Sequence, residues 1–211
     1  MKPASFVPQV AAISPGEAAR VPGLEETISY WTEATRSSEE WFRELSERWG
    51  TGGFVVRRGE ETLGFVVYGP SEHLPRAGRY PLGPLDEEAA LLACVCGDPR
   101  TRRRLLVRML RDLKQRGASR AEAIASDSGL PHHVPTQVLL ESGWRPIRRA
   151  PYRRNFYTLV RTDLGSAVEV GEMARALIGR VKLPGLKKSV PAPGGALPHV
   201  SHAAGAQQGG R

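Results

Sequence analysis

Cysteine is nearly absent from this chain: 211 residues contain only Cys94 and Cys96. Their alternation within one apolar run puts both side chains on the same face of a strand. That spacing suits neither a disulfide nor a zinc site, so two buried thiols in a reducing compartment are expected. Long apolar runs are missing as well, and none approaches the ~18 residues that a bilayer-spanning helix needs. The N-terminal MKPASFVPQVAAISPGE carries one Lys and has prolines inside its apolar part. It therefore lacks the h-region of a signal peptide, and a cytoplasmic protein with no membrane partner is expected. There is no internal repeat and no aromatic-basic module of the kind that reads RNA or DNA. The pair His132 and His133 has no third ligand in view, so no metal site is expected.

What is present suits a soluble globule. Hydrophobic residues make up 40% and charged residues 25% of a 23.0 kDa chain, enough for one domain plus a tail. The net charge is +8 and the isoelectric point about 10.0. An acidic cofactor or a nucleic acid would exploit that excess. Much of it is arginine spread over helix surfaces and the tail, so specific nucleic-acid binding ranks as a lesser reading. The expected organisation is a catalytic-size domain over 1–165, a helical extension over 166–183 and a disordered basic Pro/Gly/Ala-rich tail over 184–211.

Along the chain, Gln9 to Ile13 reads as a short strand. Ser14-Pro15-Gly16-Glu17 follows as a helix start, which Pro22-Gly23 stops. Ser38, Trp41, Phe42, Leu45 and Trp49 define a capped helix whose aromatic face belongs to the core. Phe54 to Val56 and Leu63 to Tyr68 form a hairpin across Arg58-Gly59-Glu60-Glu61. The prolines and glycines from Gly69 to Pro84 predict a long irregular loop.

The stretch from Glu88 to Gln115 organises the rest. AALLACVC is a buried strand, GDPRTRRR a short basic turn, and LLVRMLRDLKQ an amphipathic helix with Leu106, Met109, Leu110 and Leu113 on one side. Such a joint holds phosphates in many α/β folds, through free backbone N–H groups and the helix dipole. Gly117 ends that helix. Ala121 to Ala125 is a strand, SDSGLPHH a loop, Pro135 to Glu141 a helix, and Trp144 to Arg148 and Asn155 to Thr162 the last strands. Glu169 to Ile178 is expected to form a final helix. The order predicts an α/β fold: a mixed, mostly antiparallel twisted sheet with helices on both faces.

This order, with Phe54 to Tyr68, LLACVCGDP at Leu91 to Pro99, Leu105 to Gln115 and Val138-Leu139-Leu140-Glu141-Ser142-Gly143-Trp144, resembles the GNAT N-acetyltransferase superfamily over about Val10 to Thr162. The Trp31-Thr32-Glu33, Glu40-Trp41-Phe42 and Pro75-Arg76/Tyr80-Pro81 segments resemble a bacterial subgroup of it. The resemblance implies a sheet splayed between its fourth and fifth strands, with acetyl-CoA as co-substrate in the gap. Main-chain groups of Val95, Cys96 and Gly97 would pair with the pantetheine arm.

It also implies an amide-rich turn, [Q/R]-x-x-G-x-[G/A], around the pyrophosphate, in which glycine allows close backbone approach. Here Asp98-Pro99-Arg100-Thr101-Arg102-Arg103-Arg104 contains no glycine and is several residues short. Two readings stand at that point. In one, Arg102, Arg103 and Arg104 replace backbone amides as phosphate donors. In the other, they are a solvated helix start, with Asp98 as an N-cap that repels phosphate.

The resemblance implies direct acyl transfer from the CoA thioester to an amine. A base takes the amine proton, the fourth strand polarises the thioester carbonyl, and an acid reprotonates the thiolate. The acid that the family often supplies from a late-helix Tyr is replaced by Val138-Leu139-Leu140. Asp86, Glu87, Glu88, His132 and His133 are candidate bases; Glu88 and His132 are taken as the catalytic pair. The acceptor is a small-molecule or protein amine, and a homodimer is allowed. The alternatives are a catalytically degenerate binding or regulatory module and, behind it, a basic nucleic-acid-associated protein.

Overall fold

A computed structural model describes residues 7–165. The expected extension over 166–183, with its helix at Glu169 to Ile178, and the expected tail over 184–211 lie outside the described residues.

The chain opens with β1 (Gln9–Ala12), α1 (Pro15–Ala18), α2 (Leu24–Trp31) and α3 (Ser38–Arg48). It continues through β2 (Gly53–Arg58), β3 (Glu61–Pro70), β4 (Ala89–Val95) and α4 (Pro99–Gln115). It closes with β5 (Arg120–Ser126), α5 (Thr136–Glu141), β6 (Arg145–Tyr152) and β7 (Asn155–Asp163). One seven-stranded sheet has the order β1-β2-β3-β4-β5-β7-β6. Every adjacent pair is antiparallel except β4 and β5, which run parallel.

The near-continuous apolar sequence of β4 is explained by its place. It is central, buried at every position, and covered on both faces. On one face Leu91 and Ala93 meet Leu24, Ile28, Trp31, Trp41, Phe42 and Leu45 from α2 and α3. On the other, Leu92 and Val95 meet Leu105, Leu106, Met109 and Leu113 of α4. The aromatic face of α3 is core, as its spacing predicts: Trp41 and Phe42 are fully buried. That helix starts with a reciprocal cap, in which Ser37 Oγ accepts the Glu40 N–H and the Glu40 carboxylate accepts the Ser37 N–H.

One helix is new and two expectations are corrected. Leu24–Trp31 is a helix that the capping residues did not signal, because its N-cap is Gly23 with no side-chain bond. The segment Gly69 to Pro84 is not wholly irregular: 3-10 turns form at Ser71–His73 and Pro75–Arg79 and lead into Tyr80, which is buried. The basic stretch Arg100 to Arg104 is not a turn but a helix start, the second of the two readings given for it. Pro99 at the first helical position and Asp98 at the N-cap start α4 there, several residues before Leu105.

Candidate acyl-transfer site

The ladder between β4 and β5 pairs Ala89 with Arg120 and ends at Leu92 opposite Ala123. Both strands run on for three residues, so Ala93–Val95 and Ile124–Ser126 lie beyond the last pairing. A register shift between Val67 and Tyr68, which pair with Cys94 and Leu92, leaves Ala93 as an extra residue on β4. Such a bulge bends its strand and raises the local twist, here where β4 leaves β5.

On its other side β4 stays bound to β3. The Cys96 N–H donates to Phe65 O at 2.8 Å, in register with Val66 opposite Val95. Alternation in an antiparallel ladder then directs the Val95 N–H and C=O away from β3, toward the gap. Of the three residues expected to offer main-chain groups, Cys96 has its N–H committed to β3. Gly97 makes the exit turn at a φ of +116°, where a Cβ would meet Leu63 O at 2.8 Å. Val95 is the one whose groups face the gap.

The mouth of the gap differs from an open phosphate cradle. Asp98 Oδ1 accepts the N–H groups of Arg100 and Thr101 at 2.8 and 3.2 Å, and Oδ2 accepts the Thr101 hydroxyl. These bonds hold the Asp98 carboxyl below the usual carboxylate range. The first-turn amides of α4 thus already hold an anion, the protein's own. Helical spacing separates the three expected arginines. Arg104 donates to Pro8 O and, with Arg58, Leu63 and Arg100, lines a cavity of about 520 Å³. Arg102 Nε and Arg103 Nη2 are buried with no hydrogen-bond partner among the described residues. Arg102 also acts on Cys96. The Cys94 and Cys96 Sγ atoms lie 3.3 Å apart. The thiol of Cys96 is pulled down by the Cys94 S–H and the Arg102 charge, while that of Cys94 is pushed up by its contact with Cys96 and by burial.

Because β4 and β5 are parallel, the loop after β5 lies at the same end of the sheet as Val95. Ser126 donates its N–H to Val134 O, and Asp127 donates to Phe156 O on β7. Val134 therefore sits on the β4-facing edge of β5 and carries His132 and His133 to the gap.

His133 is buried. Its Nδ1 lies 2.9 Å from Pro131 O and its Nε2 2.8 Å from the Tyr80 hydroxyl, which is 2.6 Å from the Tyr30 hydroxyl. Since Pro131 O only accepts, Nδ1 carries the proton, Tyr80 donates to Nε2, and Tyr30 donates to Tyr80. Burial pushes the His133 pKa down to about 4. His132 stacks on Tyr30, with ring centroids 4.9 Å apart, and its Nδ1 is 3.2 Å from Thr27 Oγ1. The Thr27 hydroxyl donates to Gly23 O, so His132 Nδ1 is the donor and Nε2 is left as an acceptor. Burial also lowers the His132 pKa. Its φ of +62° is a left-handed conformation held by Trp31 Nε1 donating to its carbonyl.

The expected catalytic pair is not brought together. Glu88 is exposed at the start of β4, seven residues and ~20 Å of strand before Val95, while His132 stands at the far end. Asp86 and Glu122 near that start serve structure, through Arg120 and Arg161. Thr27 and Tyr30, for which the sequence suggested no role in the site, complete the histidine cluster together with Tyr80, known from the sequence only as part of the Tyr80-Pro81 segment; Tyr152 and Tyr157, the nearest phenols by sequence to the missing acid, pack against Tyr80.

The overall fold recurs in solved acetyltransferases. An N-acetyltransferase from Staphylococcus aureus Mu50 matches with a TM-score of 0.53 and 13% identity over 75% of this chain and 99% of its own.

The chain has the GNAT fold.

Two further structures with this fold are similar. One is yncA from Salmonella typhimurium, described as an acetyltransferase with its cofactor acetyl-CoA, at a TM-score of 0.54 and 14% identity over 76% of this chain and 96% of that one. The other is a ribosomal-protein-alanine N-acetyltransferase from Brucella melitensis, at 0.52 and 13% over 74% and 99%. By sequence, the chain matches no family profile and no curated protein. No described helix is long and apolar enough to cross a membrane.

Proposed function

We propose that this protein moves an acyl group from a pantetheine thioester, acetyl-CoA being the simplest, to an amine by direct transfer. The observation that carries this reading is the end of the β4–β5 ladder at Leu92 and Ala123 while both strands continue. An extended arm entering the gap meets the unpaired edge of Val95. Its N–H would hold and polarise a carbonyl there. His132 is the base in this reading. It is neutral at physiological pH, its Nδ1 proton is fixed by Thr27, and Nε2 is left to accept a proton from the amine. Val138-Leu139-Leu140 stands in the region where the resemblance would place an acid, and Leu139 is buried. A thiolate leaves a tetrahedral intermediate far more readily than an amide nitrogen does and needs little acid assistance. The unpartnered Arg102 Nε and Arg103 Nη2 are donors left for one phosphate group of the donor. Glu88 has no role in this mechanism.

One observation favours a second reading, a GNAT fold kept for binding or regulation: the Asp98 carboxylate on the α4 amides. Release of free thiol from acetyl-CoA across a panel of amines separates the two. Amine-dependent release, lost in His132→Ala, supports transfer. No release from any amine, with no heat on titrating CoA to millimolar concentration, overturns it.

A further inference from the structure

Resting on that acyl-transfer reading, we propose that the donor arrives on an acidic carrier protein. Its phosphopantetheine arm enters the gap beside Val95, and its body docks on the arginine face of α4.

The first support is the occupied cradle. Coenzyme A brings a diphosphate and a 3′-phosphate, and the family resemblance would place the diphosphate on the N-terminal amides of α4. Those of Arg100 and Thr101 are bonded to Asp98, whose negative charge opposes another anion in the same place. An arm esterified to a carrier serine brings a single phosphodiester charge. The buried, unpartnered Arg102 Nε and Arg103 Nη2 are enough donors for that.

The second support is the charge left open beyond the mouth. Among the described residues, no carboxylate lies within ion-pair distance of Arg100, Arg102, Arg103, Arg104, Arg108 or Arg111. Many arginines elsewhere are paired, among them Arg120 with Asp86, Arg149 with Asp127 and Arg161 with Glu122, and those left without an ion pair, such as Arg20, Arg76 and Arg148, are scattered through the sequence and not set along one helix. The one acid within α4, Asp112, turns inward to Tyr68 and Arg116. Like charges three and four residues apart destabilise a helix on its own, so the bare row is a cost that a partner offsets. From Arg100 to Arg111 the row is ~16 Å long, more than one phosphate group covers.

The third support is continuity. The outer end of an arm lying along Val95 leaves the sheet at the C-terminal end of β4, where α4 begins. Whatever bears the arm lies over α4. An acidic protein surface satisfies both the arm and the row, whereas a nucleic acid would satisfy the row alone.

The test compares an acetyl-loaded acyl carrier protein with acetyl-CoA as donors for the full-length protein. Arg108→Glu and Arg111→Glu serve as variants, with Arg111→Gln as a milder one. The carrier-borne donor is expected to show a KM about tenfold or more below that of acetyl-CoA. Charge reversal should raise the KM for the carrier by about tenfold with kcat unchanged, and leave turnover of acetyl-CoA unaffected. Equal use of both donors, or indifference of the carrier reaction to both reversals, overturns the inference and leaves acyl transfer standing. If neither donor turns over, the function proposed above fails. The docking surface is then judged by anisotropy of labelled holo-carrier: binding weakened by Arg111→Glu supports it, and no binding, or binding displaced by duplex DNA at equal charge, overturns it.

Discussion

Thr101 is tied to Asp98 twice, by its N–H to Oδ1 at 3.2 Å and by its hydroxyl to Oδ2 at 2.5 Å. This pair decides what the start of α4 can bind. The same carboxylate that caps the helix also excludes a ligand phosphate from its amides. Asn caps nearly as well as Asp but carries no charge. Asp98→Asn is therefore expected to unfold at close to the parent temperature while binding CoA about two- to fivefold more tightly. Calorimetric titration reads the affinity and thermal unfolding reads the cap. An unchanged affinity would mean that phosphate never approaches this turn. Because the Asp98 pKa is already lowered by the cap, mild acid does not substitute for the mutation: the carboxylate stays charged until the pH falls below the usual carboxylate range.

The buried histidine makes stability depend on pH. His133 titrates at about 4 in the fold against a reference value of 6.5. Between those values the unfolded chain binds the extra proton, so stability rises with pH across the window and is fully present above 6.5. The span corresponds to about 3 kcal/mol at most. Denaturant unfolding from pH 4.5 to 7.5 should show the rise. His133→Phe should flatten it while lowering stability at pH 7.5 by roughly 1 kcal/mol, through loss of the Tyr80 hydrogen bond. An unchanged slope in the variant would place the titrating group elsewhere.

The sheet is legible because local pattern carries it: a continuous apolar run for a strand covered on both faces, and helical spacing in α3 and α4; the parting of β4 from β5 is not in that pattern and follows only from the family resemblance. The Asp98-Pro99 pair held the start of α4 in plain view. It supports the helix-start reading of the arginines, and arginine is a good helix former; the turn is suggested only by the density of charge. Leu24–Trp31 had a signal in Leu24, Ile28 and Trp31 at i, i+4 and i+7, without a side-chain cap to start it. The Tyr30–Tyr80–His133 chain had none, because its members are separated by about 50 residues each and meet only after the 3-10 turns at Ser71–His73 and Pro75–Arg79 fold back. Glu88 was attractive by proximity in sequence to β4. A strand, however, puts its two ends far apart.

The ion pair under the opposite end of the sheet is asymmetric. Glu122 is 1% exposed and accepts Arg161 Nε and Nη2 on one oxygen, at 2.9 and 2.7 Å, and the Asp86 N–H on the other. Arg161 is partly exposed and also lies 3.6 Å from Asp86. Removing the arginine strands a buried anion; removing the acid leaves a cation with a second carboxylate and some water. Arg161→Met is expected to cost about 3 to 5 kcal/mol and Glu122→Gln distinctly less. Urea unfolding of both at pH 7 ranks them, and equal losses would contradict the asymmetry.

Gly64 supplies the most direct link between packing and the gap. It lies on β3 opposite Val56 of β2, and a Cβ there would stand 2.3 Å from Cys96 O and 2.9 Å from Thr101 Cγ2. The first of these is main chain, which cannot swing aside as a side-chain end can, so Gly64→Ala must push the end of β4. Overpacking of this kind costs about 1 to 3 kcal/mol, and the displaced segment is the one that aims Val95 at the gap. Gly78→Ala is the control: a Cβ there meets nothing within 4 Å, so stability should hold or rise by up to about 1 kcal/mol. At a temperature where both variants are fully folded, Gly64→Ala is expected to lose thioester binding while Gly78→Ala keeps it. Loss of stability in Gly64→Ala with binding intact would show that the edge of Val95 is not what holds the donor.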